Sequence, residues 1–282
     1  MIGISYIITT YRRNEVLLKA IPSIIEERIL PSELIIVDDC GAKPVEIPMD
    51  LQNRFDNNIR LIRNAQNKGV IRARNVGIAA ARYDYILFLD DDDVSFPNRS
   101  KDLFPYIKEK NYAFVAGKCQ MHFRQTTEII PKTTHRDLTP ISYLWAFPHI
   151  NGVIFQKSKL VELGGLDNRV PHLGEHITLQ RLLLRGEKGL QTDHIVARFE
   201  SIDDGLTAKV LNNNKMRDEF IAFFDALMPD VQNTKYMDTY LKIRNLLPQQ
   251  TLTTVDDYLD FVASVLQNWD WNSIYLLCKW IF

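Results

Sequence analysis

Three cysteines in 282 residues, Cys40, Cys119 and Cys278, stand far apart and in no metal-ligand spacing. That excludes the Cys-rich zinc patterns and points to a reducing, cytosolic setting rather than a disulfide-stapled secreted fold. A surplus of positive charge is missing as well. Lys and Arg number 34 against 35 Asp and Glu, for a net charge of −1, so no basic field exists to grip nucleic acid. No window approaches the ~20 consecutive apolar residues of a membrane-spanning helix. The apolar start, Ile2 to Thr10, is short and is followed rather than preceded by Arg12 and Arg13, unlike a signal peptide. The turn after that first run, Thr9-Thr10-Tyr11-Arg12-Arg13, has no glycine. This argues against a nucleotidyltransferase, whose phosphate loop needs glycine at that place.

What is present reads as an ordinary globular chain, 46% hydrophobic and 24% charged. Short β-rich runs alternate with helix-like stretches. Ile4–Thr10, Leu34–Val37, Ile59–Ile62 and Tyr85–Leu89 are the predicted strands. Asn14–Arg28, with Pro22 as an expected kink, and Val70–Arg82 are the predicted helices between them. This rhythm predicts an α/β fold with a mostly parallel, Rossmann-like sheet flanked by helices, which binds ligands at the carboxyl ends of its strands. The polar motifs fall at those ends: Thr9-Thr10-Tyr11, Asp38-Asp39 and Asp90 to Asp93. Gln125–Pro140 is polar and without period and is expected to be a mobile loop. Val153–Phe155 predicts a strand, and Lys157–Leu163 and Glu175–Arg185 predict helices that stop at glycine. Past residue 208 the pattern is purely helical, which divides the chain into an α/β domain, 1–207, and a C-terminal helical extension, 208–282.

The run Leu87-Phe88-Leu89-Asp90-Asp91-Asp92-Asp93 carries the strongest chemical signal. Adjacent carboxylates about 5 Å apart repel by roughly 3 kcal/mol per pair at an effective dielectric near 20. A divalent cation would remove that cost, and hard oxygen ligands select Mn²⁺ or Mg²⁺. The bland alternative, a solvated acidic loop, fits poorly with a position at the end of a buried strand.

In this order the motifs resemble the family 2 glycosyltransferases of the GT-A fold. Ser5 to Asn14 comes first, then Glu33 to Asp39, Asn67-Lys68-Gly69, Ala73-Arg74-Asn75 and Phe88 to Asp93 with Pro97 behind it. Gly164-Gly165-Leu166-Asp167 closes the set, followed by an acidic helix start. The resemblance covers roughly residues 3 to 207. It implies an inverting transferase that takes a hexose or N-acetylhexosamine from a UDP-sugar donor to a saccharide acceptor in the synthesis of a surface polysaccharide. Thr9 and Tyr11 would line the base pocket and Asp38 would accept from the uracil N3–H. Arg74 would contact the base or the phosphates, Asp90 would hold the ribose, and Asp91 fills the variable slot of the motif. Asp92 would ligate the metal. The family's downstream His has no counterpart in Arg198 to Thr207, and Asp203, Asp204 or a water would replace it. His149 and His194 are expected to be structural or acceptor-side. Anchoring the late helix on Arg181 and Gly186 puts Glu175 at the position of the catalytic base, whereas anchoring on the Glu of the acidic pair puts His176 there. Both residue types can act as a general base. Beyond the resemblance, Tyr258–Gln267 is amphipathic, and Trp269, Trp271, Tyr275, Trp280 and Phe282 crowd the end. These would cap the domain or touch the inner face of the plasma membrane, where a lipid-linked acceptor would be met. A non-catalytic nucleotide-sugar-binding module and a carbohydrate hydrolase are the competing classes. The first would lack the base, and the second would lack the uracil-pocket residues.

Overall fold

The computed structural model describes residues 1–29, 31–123, 126–200, 216–250, 252 and 255–267. Its strands are β1 (Ile4–Thr10), β2 (Ser32–Asp38), β3 (Ile59–Arg63), β4 (Tyr85–Asp90), β5 (Val94–Ser95), β6 (Phe114–Phe123), β7 (Thr126–Ile130), β8 (Arg136–Leu138), β9 (Val153–Gln156) and β10 (Gly189–Glu200). Its helices, labelled here in chain order, are α1 (Asn14–Glu27), α2 (Met49–Arg54), α3 (Val70–Ala80), α4 (Arg99–Lys110), α5 (Pro140–Ala146), α6 (Lys157–Glu162), α7 (Gly174–Leu184), α8 (Met216–Val231), α9 (Met237–Leu246) and α10 (Val255–Gln267).

All the strands join one sheet, in the order β3-β2-β1-β4-β9-β6-β10-β5, with β7 beside β6 and β8 beside β10. The β3-β2-β1-β4 half is parallel, as the strand–helix rhythm predicts. β1 is buried along its whole length because helices cover both faces, and its side chains divide by parity. Ile7 packs with Ile35, Phe88 and Ile71 of α3, whereas Tyr6 and Ile8 pack with Leu17 and Ile21 of α1 and Leu103 of α4. In the other half β9 runs antiparallel to both β4 and β6, so the sheet as a whole is mixed.

The polar stretch expected to be a loop contains β7, antiparallel to β6, and β8, antiparallel to β10. Each is short and borrows its order from the long strand beside it. α8, α9 and α10 bury Phe220, Phe223, Phe224, Tyr240 and Tyr258 against Leu144 of α5 and Ile177 of α7. The described part of the extension thus shares a core with the region that carries the late helix. No helix among the described residues is long and apolar enough to cross a membrane. The segment around residue 207 and the aromatic residues from Trp269 onward lie outside the described residues.

Candidate active site

The parallel register brings three polar strand ends together. Thr9 of β1 lies between Val37 of β2 and Asp90 of β4, and Thr10 lies opposite Asp38. Thr10 donates its hydroxyl to Asp91 at 2.6 Å. Tyr11, just past the strand, is 37% exposed, and the Arg12 guanidinium lies 4.8 Å from its ring centre.

Asp38 is buried and already engaged. Its carboxylate accepts from Gly41 N at 3.0 Å and from Val45 N at 3.4 Å, and it pairs with Arg63. A carboxylate has about four acceptor positions, so roughly one remains for a ligand N–H. Its neighbour Asp39 accepts from Asn64 Nδ2 at 2.7 Å and from the backbone N–H groups of Lys68 (3.0 Å) and Gly69 (2.8 Å). Asp39 thereby fixes the Asn67-Lys68-Gly69 turn that starts α3.

α3 carries Arg74 into the centre of the site. Only 5% of its side chain is exposed, and its guanidinium bridges two carboxylates: Nη2 pairs with Asp90, and Nη1 lies 3.4 Å from Glu175 Oε1. The bridge joins the end of β4 to the first turn of α7. Glu175 is held there by the packing of the glycine-rich turn. Asn75 accepts from Leu166 N at 2.7 Å and donates to Leu166 O at 2.8 Å. Gly165 has φ +98°, and a Cβ at that residue would fall 2.6 Å from Asn75 Oδ1. At Gly174 a Cβ would lie 2.0 Å from Asp167 O, so only glycine allows α7 to start so close to that turn.

Burial raises the Glu175 carboxyl above the usual range, with Arg74 the main opposing influence. Its Oε2 is buried with no hydrogen-bond partner. Burial also acts to raise Asp90, but the Arg74 charge outweighs it, helped by His149, and the carboxyl lies below its ordinary value. His176, one residue on from Glu175, faces away. Its ring stacks on Phe147 at 3.7 Å, and Nδ1 lies 2.8 Å from the Tyr143 hydroxyl, inside the aromatic core shared with α8 and α10. Burial pushes its pKa down to about 3.

The remaining acidic residues have separate partners. Arg13 pairs with Asp92 and lies 3.3 Å from Asp91. Burial drives Asp91 up to about 6 despite Thr10 and Arg13, and raises Asp92 against Arg13. Asp93 accepts from Asn151 Nδ2, and Asn151 Oδ1 accepts from Asp90 N at 3.1 Å. Asn151 is in turn held by Arg99, which donates to its carbonyl at 2.7 Å and to Phe88 O at 2.8 Å while paired with buried Glu27.

Asp90, Asp93 and His149 each offer a ligand atom, and these atoms lie within 4.8 Å of one another. Burial lowers His149 to about 4, against the pull of Asp90, so its imidazole is neutral at pH 7. The ring stacks on Phe199 at 4.2 Å. Two carboxylates and a neutral imidazole fit a divalent cation of the Mn²⁺ class. Asp92, the ligand expected from the sequence, is bound to Arg13 instead of joining this group, and Asp203 lies outside the described residues. Arg13, Asp39 and the His149 grouping were not drawn from the sequence. The Arg13 contacts span nearly eighty residues of chain, and His149 sits in an irregular segment without a motif.

The model of glycosyl transferase family 2 matches residues 5–166, more than half of the chain. An uncharacterized glycosyltransferase of Haemophilus influenzae is 26% identical over 186 residues, which cover 64% of this chain and 62% of that protein. The chain thus spans less than two thirds of the length of the curated relatives it matches. Among solved structures, Staphylococcus aureus TarS 1-349 in complex with UDP-GlcNAc superposes with a TM-score of 0.61 at 15% identity, covering 94% of this chain and 92% of that one. The mannosyltransferase PcManGT of Pyrobaculum calidifontis, in complex with GDP-Man and Mn²⁺, gives 0.61 at 13% identity, covering 98% and 78%. These likenesses establish the GT-A fold, and the family match, spanning both the Asp90–Asp93 loop and the glycine-rich turn, establishes that the chain belongs to glycosyl transferase family 2.

Proposed function

We propose that the chain, with 1–207 as its catalytic domain and 208–282 as a helical extension, transfers a sugar from a UDP-sugar to a saccharide acceptor, with inversion at the anomeric carbon and Glu175 as the base. The observation that carries this reading is the Arg74 bridge. It sets a buried carboxylate, with one oxygen free of partners, beside the acidic end of β4. A buried acceptor atom without a hydrogen bond costs about 1–3 kcal/mol, and an acceptor hydroxyl would satisfy it.

The acceptor oxygen attacks the anomeric carbon as the bond from that carbon to the diphosphate breaks. Its proton passes to the Glu175 carboxylate. The transition state resembles an oxocarbenium ion, as in other glycosyl chemistry. Thr9 and Tyr11 line the base pocket, with the exposed Tyr11 ring available for stacking. The last acceptor position of Asp38 meets the uracil N3–H. Arg74 acts through the two carboxylates it positions, and Asp90 lies at the ribose and phosphate end. Asp90, Asp93 and His149 would hold a divalent cation, with Asp92 joining if Arg13 releases it. Bound there, the cation would offset the charge developing on the diphosphate. The imidazole nitrogen favours Mn²⁺ over the harder Mg²⁺.

UDP release from a panel of UDP-sugars, with and without saccharide acceptors, tests this reading. Release should require acceptor. Glu175→Gln should slow turnover by about 10²–10⁴-fold, the usual contribution of a general base, while leaving UDP affinity unchanged. Wild-type turnover in the Gln variant would remove Glu175 from this role.

A further inference from the structure

A small cavity lies on the flank of α5. It has a volume of about 80 Å³ and is lined by Lys132, Thr133, Thr134, Arg136 and Trp145. A water occupies about 30 Å³ in the liquid, so the space suits two or three waters or one tetrahedral oxyanion.

Its polar groups are left uncompensated. Arg136 is partly buried at the start of β8, and no carboxylate among the described residues pairs with it. Its Nε is buried with no hydrogen-bond partner, and so is Thr133 Oγ1. Burial lowers the Arg136 pKa, as expected for a cation removed from water without a counter-ion. Lys132 brings a second positive charge, whose ion pair among the described residues is a long, exposed contact of 3.8 Å to Glu128. A guanidinium presents parallel N–H donors that match an oxyanion, and a partly buried one without an anion is costly. Arg136 Nε and Thr133 Oγ1 are both sealed from solvent, so an anion in this space would meet the terminal N–H groups of the Arg136 guanidinium.

We propose that this cavity binds an oxyanion of phosphate size, with the terminal N–H groups of Arg136 as the principal ligand, Lys132 as a further donor, and Trp145 as the apolar wall. A free phosphate monoester and a phosphodiester within a larger ligand present the same chemistry. The helix that carries Trp145 also carries Tyr143, whose hydroxyl contacts His176, the residue after Glu175.

The test is binding and does not depend on turnover. Inorganic phosphate and dimethyl phosphate are titrated separately into the ¹⁵N-labelled full chain. The indole N–H of Trp145, assigned with Trp145→Phe, is followed by NMR. At least one probe should shift this resonance saturably. Arg136→Gln should weaken that response by at least about tenfold, the loss expected for one charge-assisted hydrogen bond. Arg136→Lys, which keeps the charge, should fall between the two. A thermal midpoint of Arg136→Gln equal to or above that of wild type would show that the fold is intact. A response to dimethyl phosphate identifies a phosphodiester-bearing ligand, and a response to inorganic phosphate alone identifies a free monoester. No saturable response to either probe, or an undiminished response in Arg136→Gln, overturns the proposal.

Discussion

Replacing Arg74 with Gln should move the acid limb of the pH–rate profile upward. Arg74 Nη1 lies 3.4 Å from Glu175 Oε1, and the two side chains are only 5% and 12% exposed. At that separation and an effective dielectric near 20, their attraction is roughly 5 kcal/mol. Solvent and local rearrangement reduce what survives, and an arginine beside a carboxylate usually holds its pKa down by about 1–3 units. Burial already raises Glu175, and Arg74 is the main influence opposing it. Without the guanidinium, Glu175 should hold its proton to a higher pH. The base would then be inactive below that pH, and kcat should fall there while recovering at higher pH. Two carboxylates would also be left without their counter-ion, which costs about 3–5 kcal/mol at neutral pH and less in acid, where they are protonated. Should turnover be too slow to follow, ¹³C NMR of labelled glutamate carboxyls reads the same shift directly. A Glu175 titration that stays in place in Arg74→Gln would refute the argument that the bridge sets the base.

Stability in acid should depend on His176. Its folded pKa of about 3 lies below the unfolded value near 6.5, so its contribution is present above pH 6.5 and lost as pH falls toward 3. The loss should reach about 3 kcal/mol by pH 4, and denaturant titrations should show this slope removed in His176→Phe, although that variant strands the Tyr143 hydroxyl. Asp38→Ala should weaken UDP binding by about 1–3 kcal/mol in calorimetry, through loss of the uracil contact and loosening of the Gly41–Val45 turn. Unchanged UDP affinity would place the base elsewhere.

The parallel half of the sheet was legible because each buried strand is a continuous apolar run closed by a polar motif. Spacing from Arg181 and Gly186 pointed to Glu175, and anchoring on the Glu of the acidic pair pointed to His176. Spacing could not choose between Glu175 and His176, since adjacent helical residues point about 100° apart and only the packing shows which one faces the core. Phe147, Phe220 and Tyr258 settle the direction of His176, and their convergence depends on helices far apart in the chain. For the same reason Arg74 reads in sequence as a donor-binding cation, whereas its nearest carboxylates lie 16 and 101 positions away. β7 and β8 escaped notice because they are short and polar, with their order supplied by β6 and β10.

The stereochemistry of the product is the most direct test. With an α-linked UDP-sugar and an accepted saccharide, the proposed activation of the acceptor by Glu175, for attack opposite the departing diphosphate, predicts a β linkage in the anomeric proton NMR signal of the first-formed product. An α-linked product would contradict the single-displacement mechanism.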